Sequence, residues 1–264
     1  MPLKATYLGH ASVLLENEEV KVMTDPLFSE KIFFLRRHTP VGIDPSNLPP
    51  LDAILISHAH YDHLDIPSFK YIPSSVPIVL PPGLAKLVGK FLRNPLIELE
   101  TGRSTEIKKG LLIKAFPVRH YGFRLLPFRY TRCNGYLIKM NEETAFFPGD
   151  TAYRSDFGSF FPDEKIDLAL LPIAAYKPRW LMKGRHMNPE EAVRVFEEIQ
   201  AKQMIPIHWG AFKLSTEPME EPIEWLKKIA SEKRLQVQIQ ILNPGEAWAS
   251  SEALRLVESK QIRS

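Results

Sequence analysis

The sequence predicts an α/β protein, on three observations. Short apolar runs of strand length recur, at residues 53–56 (A-I-L-I), 77–80 and 167–172 (D-L-A-L-L-P). Runs without polar alternation suit strands buried on both faces, the arrangement of parallel strands covered by helices. Stretches with helical apolar spacing lie between and after them, at 83–93, 189–202 and 220–233. Finally, the residues able to bind metal fall where strands end, in both halves of the chain.

Taken in order, residues 4–16 and 20–24 read as a hairpin turning at Asn17-Glu18-Glu19. Thr24-Asp25-Pro26 ends the second strand and points Asp25 back towards the core. Residues 29–48 form an irregular loop rich in basic and aromatic side chains, among them Lys31, Phe33, Phe34, Arg36, Arg37 and His38. A loop of that length is either functional or a solvated connection anchored by its aromatics; the sequence leaves both open. Strands are expected at 105–107, 111–118, 135–139 and 144–147, with a closing strand at 237–242. Residues 121–132 are dense in arginine and exposed-looking aromatics. The helix at 189–202 has a marked start: Asn188 as N-cap, Pro189 in the first turn and Glu191 three residues past the cap. Its inward face would be Ala192, Val195, Phe196 and Ile199.

The chemistry gathers at 51–65. The apolar run stops at Ser57 and delivers His58, His60, Asp62 and His63 within six positions. Imidazole nitrogens with a carboxylate suit zinc, iron or manganese. His58 and His60, two apart on extended chain, can converge on one ion, while Asp62 and His63, past the turn, can address a second. Four ligands do not fill two shells. His120 closes one strand and His208 another, and Asp150 follows a strand broken by Pro148-Gly149, where a carboxylate can bridge two cations.

This ordered set, H-A-H-Y-D-H, a lone His, G-D-T and a final I-H-W, resembles the ligand pattern of the metallo-β-lactamase superfamily. The resemblance implies a four-layer αββα sandwich with the metal site at the edge between two sheets. It implies one ion on His58, His60 and His120, a second on Asp62, His63 and His208, and Asp150 bridging where the true β-lactamases have cysteine. Further segments, from Gly9-His10-Ala11 through Tyr176-Lys177-Pro178-Arg179-Trp180 and His186-Met187-Asn188-Pro189 to Ile207-His208-Trp209-Gly210, resemble the branch of N-acyl-phosphatidylethanolamine-hydrolysing phospholipases D and their bacterial relatives.

Two divalent ions sharing Asp150, most simply zinc with manganese or iron as alternatives, would acidify a water between them, and the resulting hydroxide would attack phosphorus or a carbonyl carbon. Asp62 would orient that nucleophile or collect its proton. His186, in a loop before a helix and with no ligand role left, is the candidate to assist the leaving group; the alternative is a helix-entry residue bonded to backbone. His10 either supports a ligand or is a buried structural histidine. Asp25 either fixes the tautomer of a ligand histidine or caps a turn. Thr151 is placed to hydrogen-bond around Asp150. Arg119, Arg124 and Arg179 are candidate phosphate partners, since guanidinium grips phosphate bidentately. The expected reaction is phosphodiester hydrolysis of a phospholipase D type on an anionic, small or lipid-like substrate. A lactonase or thioesterase is the alternative, and an RNA-processing nuclease is set behind both because no basic arm is evident.

Bulk properties bound the rest. A chain of 264 residues with 44% hydrophobic content can bury one large core, so residues 1–264 are expected to form one domain. A single cysteine, Cys133, excludes an internal disulfide and suits a reducing cytosol. Met1-Pro2-Leu3-Lys4 runs straight into a strand pattern and no long apolar run follows, so neither signal peptide nor transmembrane helix is expected and the cytoplasm is the expected compartment. A net charge of +3 is too small to argue for nucleic acid. It leaves peripheral membrane contact and homo-oligomers open.

Overall fold

The structure, a computed structural model, describes residues 2–124 and 129–250. In chain order its strands are β1 (Lys4–Gly9), β2 (Ser12–Glu16), β3 (Lys21–Thr24), β4 (Lys31–Ile32), β5 (Leu35–Arg36), β6 (Ala53–Leu55), β7 (Ile78–Leu80), β8 (Leu96–Glu98), β9 (Ser104–Lys108), β10 (Leu111–Pro117), β11 (Gly122–Arg124), β12 (Arg129–Thr131), β13 (Asn134–Met140), β14 (Glu143–Phe147), β15 (Leu168–Pro172), β16 (Gln203–Ile207) and β17 (Ala247–Ala249). The helices are α1 (Ala85–Val88), α2 (Arg179–Met182), α3 (Pro189–Glu198) and α4 (Glu221–Lys233).

Two sheets carry the fold. The first runs β17-β1-β2-β3-β6-β7-β8 and the second β16-β15-β14-β13-β10-β9. In each, antiparallel pairing gives way to parallel, from β3 onward in the first and from β14 onward in the second. The period of two along each strand divides its side chains between two cores. In β6, Ala53 and Leu55 face the core between the sheets, where they meet Tyr136, Phe147, Leu170 and Ile205 of the second sheet. Ile54, one residue on, joins the outer core with Phe69, Leu87 and Val88. The second sheet's outer face packs Phe146, Ala169 and Leu171 against Val195 and Phe196 of α3 and Leu226 and Ile229 of α4. This is the expected αββα order, although the helical part of the layer over the first sheet is reduced, among the described residues, to α1 and a 3-10 segment at Ile66–Tyr71.

Several elements depart from the sequence reading. Residues 4–16 form two strands rather than one, because Gly9 (φ 110°) and His10 (φ 58°) turn the chain tightly between β1 and β2. The loop at 29–48 contains the small hairpin β4–β5. The helix expected over 83–93 is a single α turn, its apolar residues spent on a short patch beneath β7 and β8. No strand forms at 237–242: Ile239 makes one bridge to Met204, and the strand that closes the first sheet is β17, which escaped the reading because Ala247-Trp248-Ala249 is too short to show a period. The helix at 189–202 stops at Glu198, its capping box on Asn188 and Glu191 formed as expected. Residues 121–132 make the hairpin β11–β12, with 125–128 outside the described residues.

Replacing Asn188 by Ala should remove the bond its side chain accepts from the Glu191 amide, costing about 1 kcal/mol. Thermal unfolding would show this as a Tm lowered by about 2–4 °C.

Candidate metal centre

Parallel strands place their C-terminal ends together, and the candidate metal-ligating side chains sit on the segments that leave those ends. His58, His60, Asp62 and His63 follow β6, Asp150 follows β14, and His208 follows β16. His120 follows β10, which like β14 runs antiparallel to β13, so its loop leaves at the same edge. Positive backbone torsions recur there, at His10 (58°), Asp25 (32°), Gly149 (59°) and His208 (64°). Such torsions cost free energy for residues with a side chain and cluster at functional sites. Gly149 has its own reason. A Cβ built there would lie 2.4 Å from the Ser57 Cβ, so the loop carrying Asp150 can pass over the strand end carrying His58 only without a side chain.

Two four-residue donor sets result. His58, His60, His120 and Asp150 form one; Asp62, His63 and His208 form the other with His10, each set's donor atoms lying within 4.8 Å of one another, as do those of Asp150, His186 and His208 and of Asp25, His58 and His63. His60 Nδ1 lies 2.9 Å from His58 Nε2 and 3.2 Å from His120 Nε2. A ring nitrogen without its proton repels another such nitrogen unless a cation lies between them, and ligands about 2.0–2.1 Å from zinc in a tetrahedron stand about 3.3 Å apart. Asp150 spans the sets: Oδ2 is 3.2 Å from His63 Nε2, 3.8 Å from His58 Nε2 and 3.9 Å from His120 Nε2, while Oδ1 is 3.2 Å from His208 Nε2. Asp62 Oδ2 is 3.5 Å from both His63 Nε2 and His208 Nε2. Among these, His63 Nε2, His208 Nε2 and Asp150 Oδ1 are buried and make no hydrogen bond. Buried polar atoms are almost always paired, so orphans aimed at a common point fit a pair of cations.

Other side chains hold the imidazoles from behind. Asp25 Oδ2 faces His63 Nδ1 at 2.6 Å and accepts from the Ser57 hydroxyl at 2.5 Å; that hydroxyl lies 2.9 Å from His58 Nδ1. His120 Nδ1 faces the Arg185 carbonyl at 3.0 Å. In each ring this leaves Nε2 for the centre. His10 Nε2 meets Asp62 Oδ2 at 3.0 Å, fully buried, and its carbonyl accepts from the His208 amide. Ser57 was missed by the sequence reading; its one signal was its place at the abrupt end of the apolar run. Thr151 accepts from the Arg119 amide and donates to the Ala152 carbonyl, so it braces the loop rather than the Asp150 carboxylate.

The arginines divide. Arg124, expected to meet phosphate, is instead buried: Nη1 donates to the carbonyls of Ala59 and Leu64, and the guanidinium lies over the Tyr61 ring. It clamps the ligand loop to the β11–β12 hairpin. Arg179 donates to the His186 carbonyl and to Glu191, so it too is structural, holding the loop of His186. Arg119 remains exposed. His186 is buried with Nδ1 unpaired, 3.8 Å from Asp150 Oδ2. With His60, His120, Tyr121 and Arg185 it lines a cavity of about 400 Å³ that opens on the centre.

Electrostatics describe a pocket in need of positive charge. Burial alone would raise Asp150, yet His208, His63 and His186 hold it well below the usual carboxylate range. Burial would likewise raise Asp62, which His63, His10 and His208 lower well below its ordinary value. In return, against the pull of burial, Asp150 and Asp62 raise His63 well above its ordinary value and raise His208 to about 9. Burial wins at the remaining rings, lowering His120 to about 4 and His58 and His186 well below the ordinary range. Protons on His63 and His208 therefore stand where a cation's charge would go.

A model of the beta-lactamase superfamily domain matches residues 21–209. The N-acyl-phosphatidylethanolamine-hydrolyzing phospholipase D 1 of Caenorhabditis elegans is 36% identical over 95% of this chain and 76% of its own length. A metal-dependent hydrolase of an Exiguobacterium species is 29% identical over 80% of this chain and 87% of its own. A solved metallo hydrolase from Ignicoccus hospitalis superposes with a TM-score of 0.70 at 19% identity, covering 94% of this chain and 98% of the other, a likeness of fold alone.

Two outcomes are expected. Since His208 is protonated below about 9, filling its donor set at neutral pH must expel that proton, and affinity for zinc should rise with pH up to about 9. Calorimetry in buffers of different ionisation enthalpy would register the release. Arg124→Ala should lower the stability of chelator-treated protein by about 1.5–3 kcal/mol in urea unfolding, through the lost charged hydrogen bonds.

Proposed function

Because the chain belongs to the metallo-β-lactamase superfamily as a metal-dependent hydrolase, in the branch of the N-acyl-phosphatidylethanolamine-hydrolysing phospholipases D, we propose that it is a dinuclear phosphodiesterase of the phospholipase D type. The observation that carries this reading is the Asp150 carboxylate, whose Oδ2 lies 3.8 Å from His58 Nε2 in one buried donor set and 3.2 Å from His63 Nε2 in the other. Residues His58, His60, His120 and Asp150 would hold one ion and Asp62, His63, His208 and Asp150 the other, zinc being suited to this nitrogen and oxygen set. Bound there, divalent cations would acidify a water and stabilise charge on the attacked group.

The chain's own residues do the rest. Asp62, tethered through Oδ2 to His10, is a fixed carboxylate within the second donor set and orients the attacking water. His186 is neutral at physiological pH, since burial outweighs the pull of Asp150. It therefore acts as a hydrogen-bond donor to the departing oxygen, not as an imidazolium. The loop bonds from Arg179 fix where it stands. Arg185 at the cavity and Arg119 beside it are exposed guanidinium groups that make no ion pair among the described residues, and they suit a phosphodiester anion. The activity named for the Caenorhabditis elegans relative supports a lipid of that class as substrate.

Zinc-reconstituted protein should hydrolyse a soluble aryl phosphodiester faster than an aryl lactone or thioester; the reverse order would replace this reading by a carbonyl hydrolase. Asp150→Ala should abolish turnover and lower the bound zinc measured by elemental analysis. His186→Ala should keep the zinc while kcat falls by about 10²-fold or more. Zinc lost with that ring would make it a ligand.

A further inference from the structure

Two cavities meet beside the metal centre, with His120 and Tyr121 as the ridge between them. One is the cavity of about 400 Å³ that His186 lines, and its other walls include Phe123 and Met182. The second is an open groove of about 660 Å³ that runs from His120 to the loop at 153–156. That loop follows Asp150 directly, so the groove's far wall is tied to the shared carboxylate by a few residues of backbone.

The two differ in chemistry. Val118 is the only aliphatic residue among the described ones that line the groove, and Tyr153, Arg154, Ser155 and Asp156 supply much of the rest. Arg154 and Asp156 form a bidentate ion pair, Nε to Oδ1 at 2.8 Å and Nη2 to Oδ2 at 2.6 Å. The pair is partly open to solvent, its side chains 25% and 46% exposed. It is also braced. The Arg154 guanidinium lies 5.1 Å from the Phe160 ring centroid, and the Asp156 carbonyl accepts from the Ser159 amide and hydroxyl. Next to them the Tyr153 hydroxyl donates to Glu198 at 2.5 Å. A wall fixed in this way loses little freedom when a ligand arrives.

Charge narrows what such a wall takes. Apart from Arg119, which stands with Arg185 for the diester anion, the charged residues lining the groove are this balanced pair. A second anion would meet the Asp156 carboxylate, and a cation would meet Arg119 and Arg154. An alkyl chain would strip water from the pair and return no hydrogen bond. Neutral hydroxyls suit it. Asp156 takes Nε and Nη2, so Nη1 of Arg154 still has donors to give, while the carboxylate keeps lone pairs. Ser155 adds an exposed hydroxyl that donates or accepts, and Tyr121, 66% exposed, adds a ring face. His186 then assigns the two arms of a diester. It lines the cavity and not the groove, so the departing oxygen belongs to the alcohol in the cavity, and the arm in the groove stays on phosphorus.

We propose that the groove from Arg119 to Asp156 is a polyol subsite, and that the substrates are diesters joining an apolar alcohol to a polyhydroxylated one. Hydrolysis joins the oxygen of water to phosphorus and breaks the P–O bond to the apolar alcohol. That alcohol leaves with one proton of the water, and the polyol keeps the phosphate as a monoester. The proposal deepens the phosphodiesterase reading, on which it rests for the central phosphate.

The test compares ligands of matched size on the zinc-loaded full chain. Calorimetry should show myo-inositol 1-phosphate binding about tenfold more tightly than cyclohexyl phosphate, the margin of one or two hydrogen bonds. The 4-nitrophenyl diesters of the same two phosphates should differ likewise in kcat/KM. In Arg154→Met/Asp156→Leu both preferences should vanish, while zinc content and turnover of the cyclohexyl diester stay as in the wild type. Equal binding of the two phosphates by the wild type, or a double variant that keeps the preference, overturns the proposal. Preferential binding without turnover of either diester would sink the catalytic reading and leave the subsite standing. Turnover of both diesters without preference would sink the subsite alone.

Discussion

Everything in this molecule answers to one electrostatic constraint: buried carboxylates and imidazoles are pressed together at the edge of a sandwich with too few hydrogen bonds among them. Asp62 and Asp150 stay ionised although burial opposes it, and His63 and His208 carry the compensating charge. Such a cluster is costly to bury unless a cation belongs in it. The fold meets that cost with strand ends held rigid by two layers of apolar packing and with backbone torsions that side chains ordinarily avoid.

Much of this arrangement could be read from the residues. The parallel strands were visible because a strand buried on both faces has no polar alternation, as β6 and β15 show. The helix α3 was visible because its cap, its first-turn proline and its apolar face agree. The donor set was visible because each member stands where an apolar run stops. What escaped has equally physical reasons. The break of residues 4–16 into β1 and β2 escaped because largely buried strands flank Gly9-His10 on both sides. β17 is three residues long. The helix expected at 83–93 had the right spacing but too little sheet beneath it to cover.

The arginines show a second limit. Charge type alone suggests a phosphate partner for Arg119, Arg124 and Arg179 alike, yet burial separates them. Arg124 and Arg179 face backbone carbonyls, which want donors as much as a phosphate does, and they hold the loops of His60 and His186. His10 likewise could be placed near a ligand from sequence, but only the folded chain shows that its ring meets Asp62 while its carbonyl receives the His208 amide. One residue thereby ties both ends of the second donor set.

Gly149 contributes no atom to the chemistry, but it is the point where the loop leaving β14 crosses the end of β6. A single added methyl would collide with Ser57, the residue whose hydroxyl steadies both Asp25 and His58. In an unbiased survey of amino-acid tolerance along the chain, this glycine should therefore score as intolerant as the donor residues themselves. Such surveys report on clearance as much as on reactivity, and an invariant column can mark empty space.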